Sequence, residues 1–272
     1  RLITNDFQQL FLLIAQAPVV AILLAMVASE DIYTSYDDTK AIIFSIGCAS
    51  IWLGLLNSVQ EICKEKVILQ KEHMADLKLS SYLLSKFIVQ GIIAFIQATL
   101  LVGIFQKIVG SSENSILING YWDIQFVSFL SILAAASTGL FISAVVKNSN
   151  IAMSVIPLIL VPQLLYSGML FKLDEITDFV SNFVLCRWTV EALGTSVKLN
   201  DLTHIAQTIN PLIEIEPENY FTFTTEHMIE VIGIILLMTA VLMLASYFVL
   251  RKNVNKNMYC LLYTSPSPRD CS

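Results

Sequence analysis

The chain has 272 residues, of which 56% are hydrophobic and 14% charged, with a formal net charge of −6 and a mean hydropathy of +0.70. Soluble domains carry about 25% charged residues, so this balance excludes an ordinary water-soluble enzyme and gives no reason to expect a nucleic-acid partner. The negative charge lies mostly in connections between apolar stretches and says little about partners.

Six stretches without a charged residue follow in chain order, at residues 10–28, 41–59, 87–105, 126–146, 151–171 and 231–250. About 20 apolar residues cross ~30 Å of hydrocarbon as a helix, and only a helix or a closed barrel satisfies its own backbone there. The sequence therefore predicts an all-α membrane protein with six transmembrane helices spread over residues 10–255. Residues 1–9 (RLITNDFQQ) read as an interfacial segment and 256–272 as the end of the chain.

The connections orient these helices. Residues 60–86 carry Lys64, Lys66, Lys71, Lys78 and Lys86, the short turn after the fourth span carries Lys147, and the last span is followed by Arg251, Lys252 and Lys256. Connections 29–40 and 110–125 are poor in basic residues, and 172–230 sets Lys172, Arg187 and Lys198 against a larger number of acids. Lys and Arg gather on the cytoplasmic side, so both ends are expected there, in a plasma membrane such as the bacterial inner membrane.

The chain opens at Arg1 without a Met or a secretory pattern, which reads as a fragment cut at its front. Residues 260–270, CLLYTSPSPRD, resemble a translated sequencing adapter, so 260–272 is read as a non-native tail. Cys48, Cys63, Cys186, Cys260 and Cys271 form no CxxC and no Cys/His spacing, and no metal site or disulfide framework is expected. No internal repeat or low-complexity tract occurs.

No predicted span holds an Asp, Glu, Lys, Arg or His, so the spans have no evident means of coupling to an ion gradient. HExxH and GxSxG are missing, which argues against intramembrane hydrolysis. Gln90, Gln97, Gln163, Tyr166 and Ser167 are the polar side chains expected to bond between helices. Ser131, Ala135, Gly139 and Ser143 recur every four residues and make a small face that lets another helix come close. Pro157 and Pro162 remove backbone donors from the fifth span, which should bend or unwind there.

The connection at residues 61–86, EICKEKVILQKEHMADLKLSSYLLSK, mixes acids and bases with apolar positions and predicts an amphipathic helix, a charged handle tied to two membrane helices. After the fifth span, Arg187 and Glu191 stand four apart on one helical face with Trp188 as an interfacial anchor, a structural clasp.

Four segments, NDFQQLFLLIAQAPVVAILLA, QKEHMADLKLSSYLLSK, VPQLLYSGMLF and RWTVEAL, resemble in order the pattern of ABC-2 type transporter membrane domains, in the branch related to the G subfamily. The resemblance covers about residues 1–255. It implies the ABC-2 exporter fold, with a re-entrant or external helical pair at 174–193 capping the path before the last helix, and a half-transporter that pairs with a second copy or a relative. It also implies that the 61–86 loop touches an ABC ATPase domain, with Glu61, Glu65 and Glu72 transmitting motion, and that Ser50, Asn57, Gln163 and Tyr166 line the substrate path. His73 departs from the family pattern, where an Arg commonly follows the loop's Glu.

No GxxxxGK[ST] occurs in these residues, so ATP and Mg2+ would be bound by a fused or separate motor domain and the chain itself needs no cofactor. The resulting expectation is a permease that cycles between inward and outward access. A scaffold assembled through the charged loop, or a passive channel, remains as an alternative.

Overall fold

A computed structural model describes residues 7–29, 32–74, 77–112, 114–117, 119–171, 174–203 and 219–264. The predicted interfacial segment 1–9, the middle of the 172–230 loop and most of the adapter-like tail lie wholly or largely outside the residues so described. Helices account for the structure among the described residues: α1 (Phe7–Val27), α2 (Tyr36–Ser58), α3 (Glu61–Met74), α4 (Leu79–Val109), α5 (Gly120–Val145), α6 (Ser149–Leu165), α7 (Glu175–Ser181), α8 (Leu185–Ser196) and α9 (Thr225–Thr264), with a 3-10 turn at Asn219–Phe221.

Four stretches are long and apolar enough to cross a membrane, Tyr36–Lys66, Leu79–Val109, Gly120–Val145 and Thr225–Val254, and Phe11–Val27 and Ser149–Leu165 are shorter apolar helices. Each predicted span thus coincides with an apolar helix. The protein is an integral membrane protein of all-α class.

Two boundaries differ from the sequence-based expectation. The charge-free run continues through Phe171, but α6 stops at Leu165 after 17 residues. At ~1.5 Å per residue that is about 25 Å, short of the hydrocarbon thickness. The chain turns there because Gly168 takes a positive φ of 79°. Ser167, 4% exposed, folds its hydroxyl onto the Leu164 carbonyl at 2.8 Å. Non-helical backbone is tolerated at such depth when it is buried in protein. Pro157 and Pro162 both lie within the continuous helix, so the unwinding falls after them.

The 61–86 connection is likewise not a single helix. α3 covers its first part, and α4 begins at Leu79, eight residues ahead of the charge-free run, so Tyr82 and Lys86 belong to a membrane helix that projects beyond the bilayer.

α5 is the centre of the bundle, packing on α2, α4, α8 and α9, while α1 lies against α4. The closest approach is between α2 and α5. A Cβ on Gly139 would stand 2.0 Å from Ser58 Oγ, and one on Gly54 would stand 2.2 Å from the Ile132 carbonyl. The small face read at Ser131, Ala135, Gly139 and Ser143 is therefore the seam where these two backbones meet. α6 by contrast touches its neighbours sparsely and turns Leu158 and Val161 outward.

Candidate functional site

The helical path from α2 into α3 breaks only at Val59 and Gln60. In an unbroken helix the amides of Ile62 and Cys63 would donate four residues back. Here both donate to one acceptor, Ser143 Oγ on α5, each at 3.0 Å. Ser143 thus acts on α3 as an N-cap supplied from another helix, satisfying donors that a helix start leaves free. Cys63 Sγ lies 3.6 Å from Ser149 Oγ at the start of α6, and Lys66 Nζ donates to the Val146 carbonyl at 3.1 Å.

The predicted coupling acids divide into two groups. Glu61 and Glu65, four apart on α3, both receive Lys86 Nζ from α4, at 3.0 Å and 2.8 Å, and the Tyr82 hydroxyl donates to the other oxygen of Glu65 at 2.8 Å. These groups are mostly buried, with side chains 12–19% exposed. Two carboxylates, an ammonium and a phenol hold α3 and α4 as a hairpin, and partial burial makes such bonds stronger than surface pairs. Glu72 lies further along α3 and is exposed. His73, at the departure from the family pattern, bonds through Nδ1 to the Leu77 carbonyl at 2.9 Å and closes the end of the hairpin.

The path candidates are scattered. Ser50 is fully buried and returns its hydroxyl to the Ile46 carbonyl at 2.8 Å. Asn57 pairs reciprocally with Gln97 of α4, and Gln97 Nε2 also donates to the Leu13 carbonyl of α1 at 2.8 Å, so this polar triad ties three helices together. Asn57 also lines a cleft of about 130 Å3 with Gln16, Gln60, Glu61 and Lys64. Gln163 Oε1 accepts from the Cys186 amide at 2.8 Å, near the start of α8. Tyr166 is half-buried against the main apolar core.

The segment after α6 forms two helices, α7 and α8, the helical pair expected at 174–193. Arg187 on α8 donates to Ser181 Oγ at 3.0 Å and to Asn182 Oδ1, and forms ion pairs with Asp178 and Glu191, each at 3.7 Å. Its guanidinium also lies 4.9 Å from the Trp188 ring centre and 4.7 Å from that of Tyr220. Trp188 Nε1 donates to the Asn182 carbonyl at 2.9 Å, so Arg187, Trp188 and Glu191 sit in one cluster.

Sequence reasoning missed three members of this cluster. Asp178 accepts from the Tyr220 hydroxyl at 2.8 Å, and His227 of α9 places Nε2 3.3 Å from Glu191 Oε1. The loop between them hid the proximity. Burial raises the Glu191 carboxyl to about 7 despite Arg187, with Glu230 and Asp178 adding to the rise. Lys86, Tyr82 and Ser143 were missed as well. Lys86 counted only as an orienting charge, although the spacing of Glu61 and Glu65 already marked a two-carboxylate face.

Chemically, the α3–α4 hairpin can pass a displacement of α3 to α4 and α5, and the Arg187 cluster can fasten α7 and α8 to α9. A family model described as ABC-2 type transporter matches residues 2–195, a stretch that includes both features except α9 and the 3-10 turn. No curated protein matches the chain.

Proposed function

This chain belongs to the ABC-2 type transporter family, and from that membership we propose that it is the permease of an ATP-driven exporter, moving substrate by alternating access while a nucleotide-binding domain hydrolyses ATP with Mg2+. As a family member it is a membrane-embedded permease component of an ABC transporter. The observation that carries the ATP-coupled reading is the anchoring of α3. It is joined to α4 through Lys86 and Tyr82 and to α5 through Ser143 and the Val146 carbonyl.

Nucleotide binding biases the access equilibrium only if it contacts the two states differently, and a helix locked to two membrane helices delivers such a bias without dissipating it. Glu61 and Glu65 transmit the motion by bracing the hairpin, and Glu72, exposed beyond the brace, is the acid that meets basic groups of the ATPase. The basic residues of this connection favour a cytoplasmic location for it, with both ends of the membrane domain on that side.

A second copy or relative encloses the path. The apolar residues that α6 and α7 turn outward support this, among them Leu158 at 73%, Ile176 at 80% and Phe179 at 66% exposed. Of the path candidates, Gln163 engages only its Oε1 among the described residues, Asn57 borders the 130 Å3 cleft, and Tyr166 is half-buried. In the transporter assembled with its ATPase, Glu72→Ala is expected to leave insertion intact and hydrolysis active while transport falls. Unchanged transport together with unchanged substrate-stimulated hydrolysis overturns this assignment.

A further inference from the structure

Between the start of α4 and the point where α9 leaves its apolar run lies an open cleft of about 730 Å3. Its lining contains three nitrogen bases, His73, Lys78 and Arg251, two hydroxyl-bearing residues, Ser80 and Tyr247, and no carboxylate. Lys78 and Arg251 are exposed and enter no ion pair among the described residues. His73 is held at the rim by its Nδ1 bond to the Leu77 carbonyl at 2.9 Å, so Lys78 and Arg251 are the charges offered to a ligand. Converging positive charge without a counterion among the described residues is a site for an anion.

The depth of the cleft narrows the choice of anion. Arg251 directly follows the charge-free run 231–250 and so sits where hydrocarbon gives way to headgroups, while Lys78, the residue ahead of α4, lines the same cleft further out. Below Ser80, the same face of α4 continues with Leu84 and Ile88. Below Arg251, the same face of α9 continues with Phe248 and Leu244, and all four side chains are exposed. A soluble anion would use only the charged rim, whereas a phospholipid uses the rim and both apolar faces.

We propose that this cleft binds the phosphate headgroup of an anionic phospholipid, whose acyl chains lie along the Leu84 and Ile88 face of α4 and the Leu244 and Phe248 face of α9. Basic pockets between membrane helices on the cytoplasmic side recognise such headgroups. The lipid would bridge the end of the coupling hairpin to the last helix, two elements that already share an apolar cluster through Leu69, Leu79 and Leu250.

The test is native mass spectrometry of the purified chain in detergent, titrated with short-chain phosphatidylglycerol or short-chain phosphatidylcholine. The unaltered chain should bind phosphatidylglycerol more tightly. Each basic residue near a surface is worth ~1 kcal/mol, about fivefold, so Lys78→Gln with Arg251→Gln should weaken phosphatidylglycerol roughly 25-fold and leave phosphatidylcholine unchanged. Lys107→Gln, exposed at the opposite end of α4, should change neither. Equal affinity for the two lipids in the unaltered chain overturns the proposal, and that comparison requires no variant to fold. Undiminished phosphatidylglycerol binding in the double variant, an equal loss in Lys107→Gln, or displacement by millimolar inorganic phosphate that itself occupies the site overturns it equally.

Discussion

Replacing Gly54 by Ala tests whether the α2–α5 seam is what holds this bundle together. A Cβ there would lie 2.2 Å from the Ile132 carbonyl oxygen, 2.7 Å from Ala135 Cβ and 2.9 Å from the Ala136 nitrogen. A carbon approaches a carbonyl oxygen comfortably at about 3.3 Å, so α2 and α5 must part by about 1 Å at that point. Two of the three obstacles are backbone atoms, which cannot rotate aside. Opening a packed seam by that amount forfeits roughly a quarter to a half of each contact's attraction, and overpacking of this kind costs about 1–3 kcal/mol. Ala is otherwise the better helix former by about 1 kcal/mol, so the net expected loss is about 0–2 kcal/mol, and about 1–3 kcal/mol relative to Gly→Ala changes made where there is room. Gly91→Ala and Gly233→Ala serve as references. The first would meet only Leu133 Cδ1 at 3.9 Å and the second no atom within 4 Å. Thermal unfolding in detergent, followed by tryptophan fluorescence, should place Gly54→Ala several degrees below both references, which should lie at or above the unaltered chain. A Gly54→Ala midpoint level with the two references refutes the reasoning.

Ser143→Ala removes the acceptor shared by the Ile62 and Cys63 amides, each 3.0 Å away, at a cost of about 1–3 kcal/mol for each donor left buried. Amide hydrogen exchange should then accelerate over the start of α3 while the centre of α5 keeps its protection; unaltered exchange at α3 would show that the bond pins nothing. Glu191 titrates near 7 in the folded protein against an ordinary 4.5, so the native state holds the extra proton between those values. Stability should therefore decline as pH rises from about 4.5 to 7, by roughly 3 kcal/mol in all, and level off above 7. Glu191→Gln should flatten that slope in unfolding measurements across pH, and a slope that survives the substitution assigns it to another group.

Much of the architecture was legible because membrane crossing is a one-dimensional requirement. A charge-free run of about 20 residues needs no partner to be recognised, and all six such runs became apolar helices. The 61–86 connection could be read as a charged handle from its local pattern, and Arg187 with Glu191 as a helical pair from their spacing, whereas Glu61, Glu65 and Glu72 were singled out by the family resemblance. Their partners could not be found in that way. Lys86 meets Glu61 across 25 residues, and His227 meets Glu191 across a loop lying partly outside the described residues. The overlong fifth span had a related cause, since hydropathy continues smoothly through Gly168 while the backbone does not.

By itself the sequence determined the membrane class, the number of apolar helices and the small face of α5, because each depends on residue type and period alone. Only the tertiary structure decided that Ser143 caps α3, that Gln163 meets the α8 backbone, and that Asn57 is bound to Gln97 and not simply open to a path. A hydroxyl or amide in a spanning helix must find a partner because hydrocarbon offers none, yet nothing in its own sequence neighbourhood says which helix will supply it. That choice belongs to the packing, where one helix passing within 3 Å of another settles which polar atoms meet.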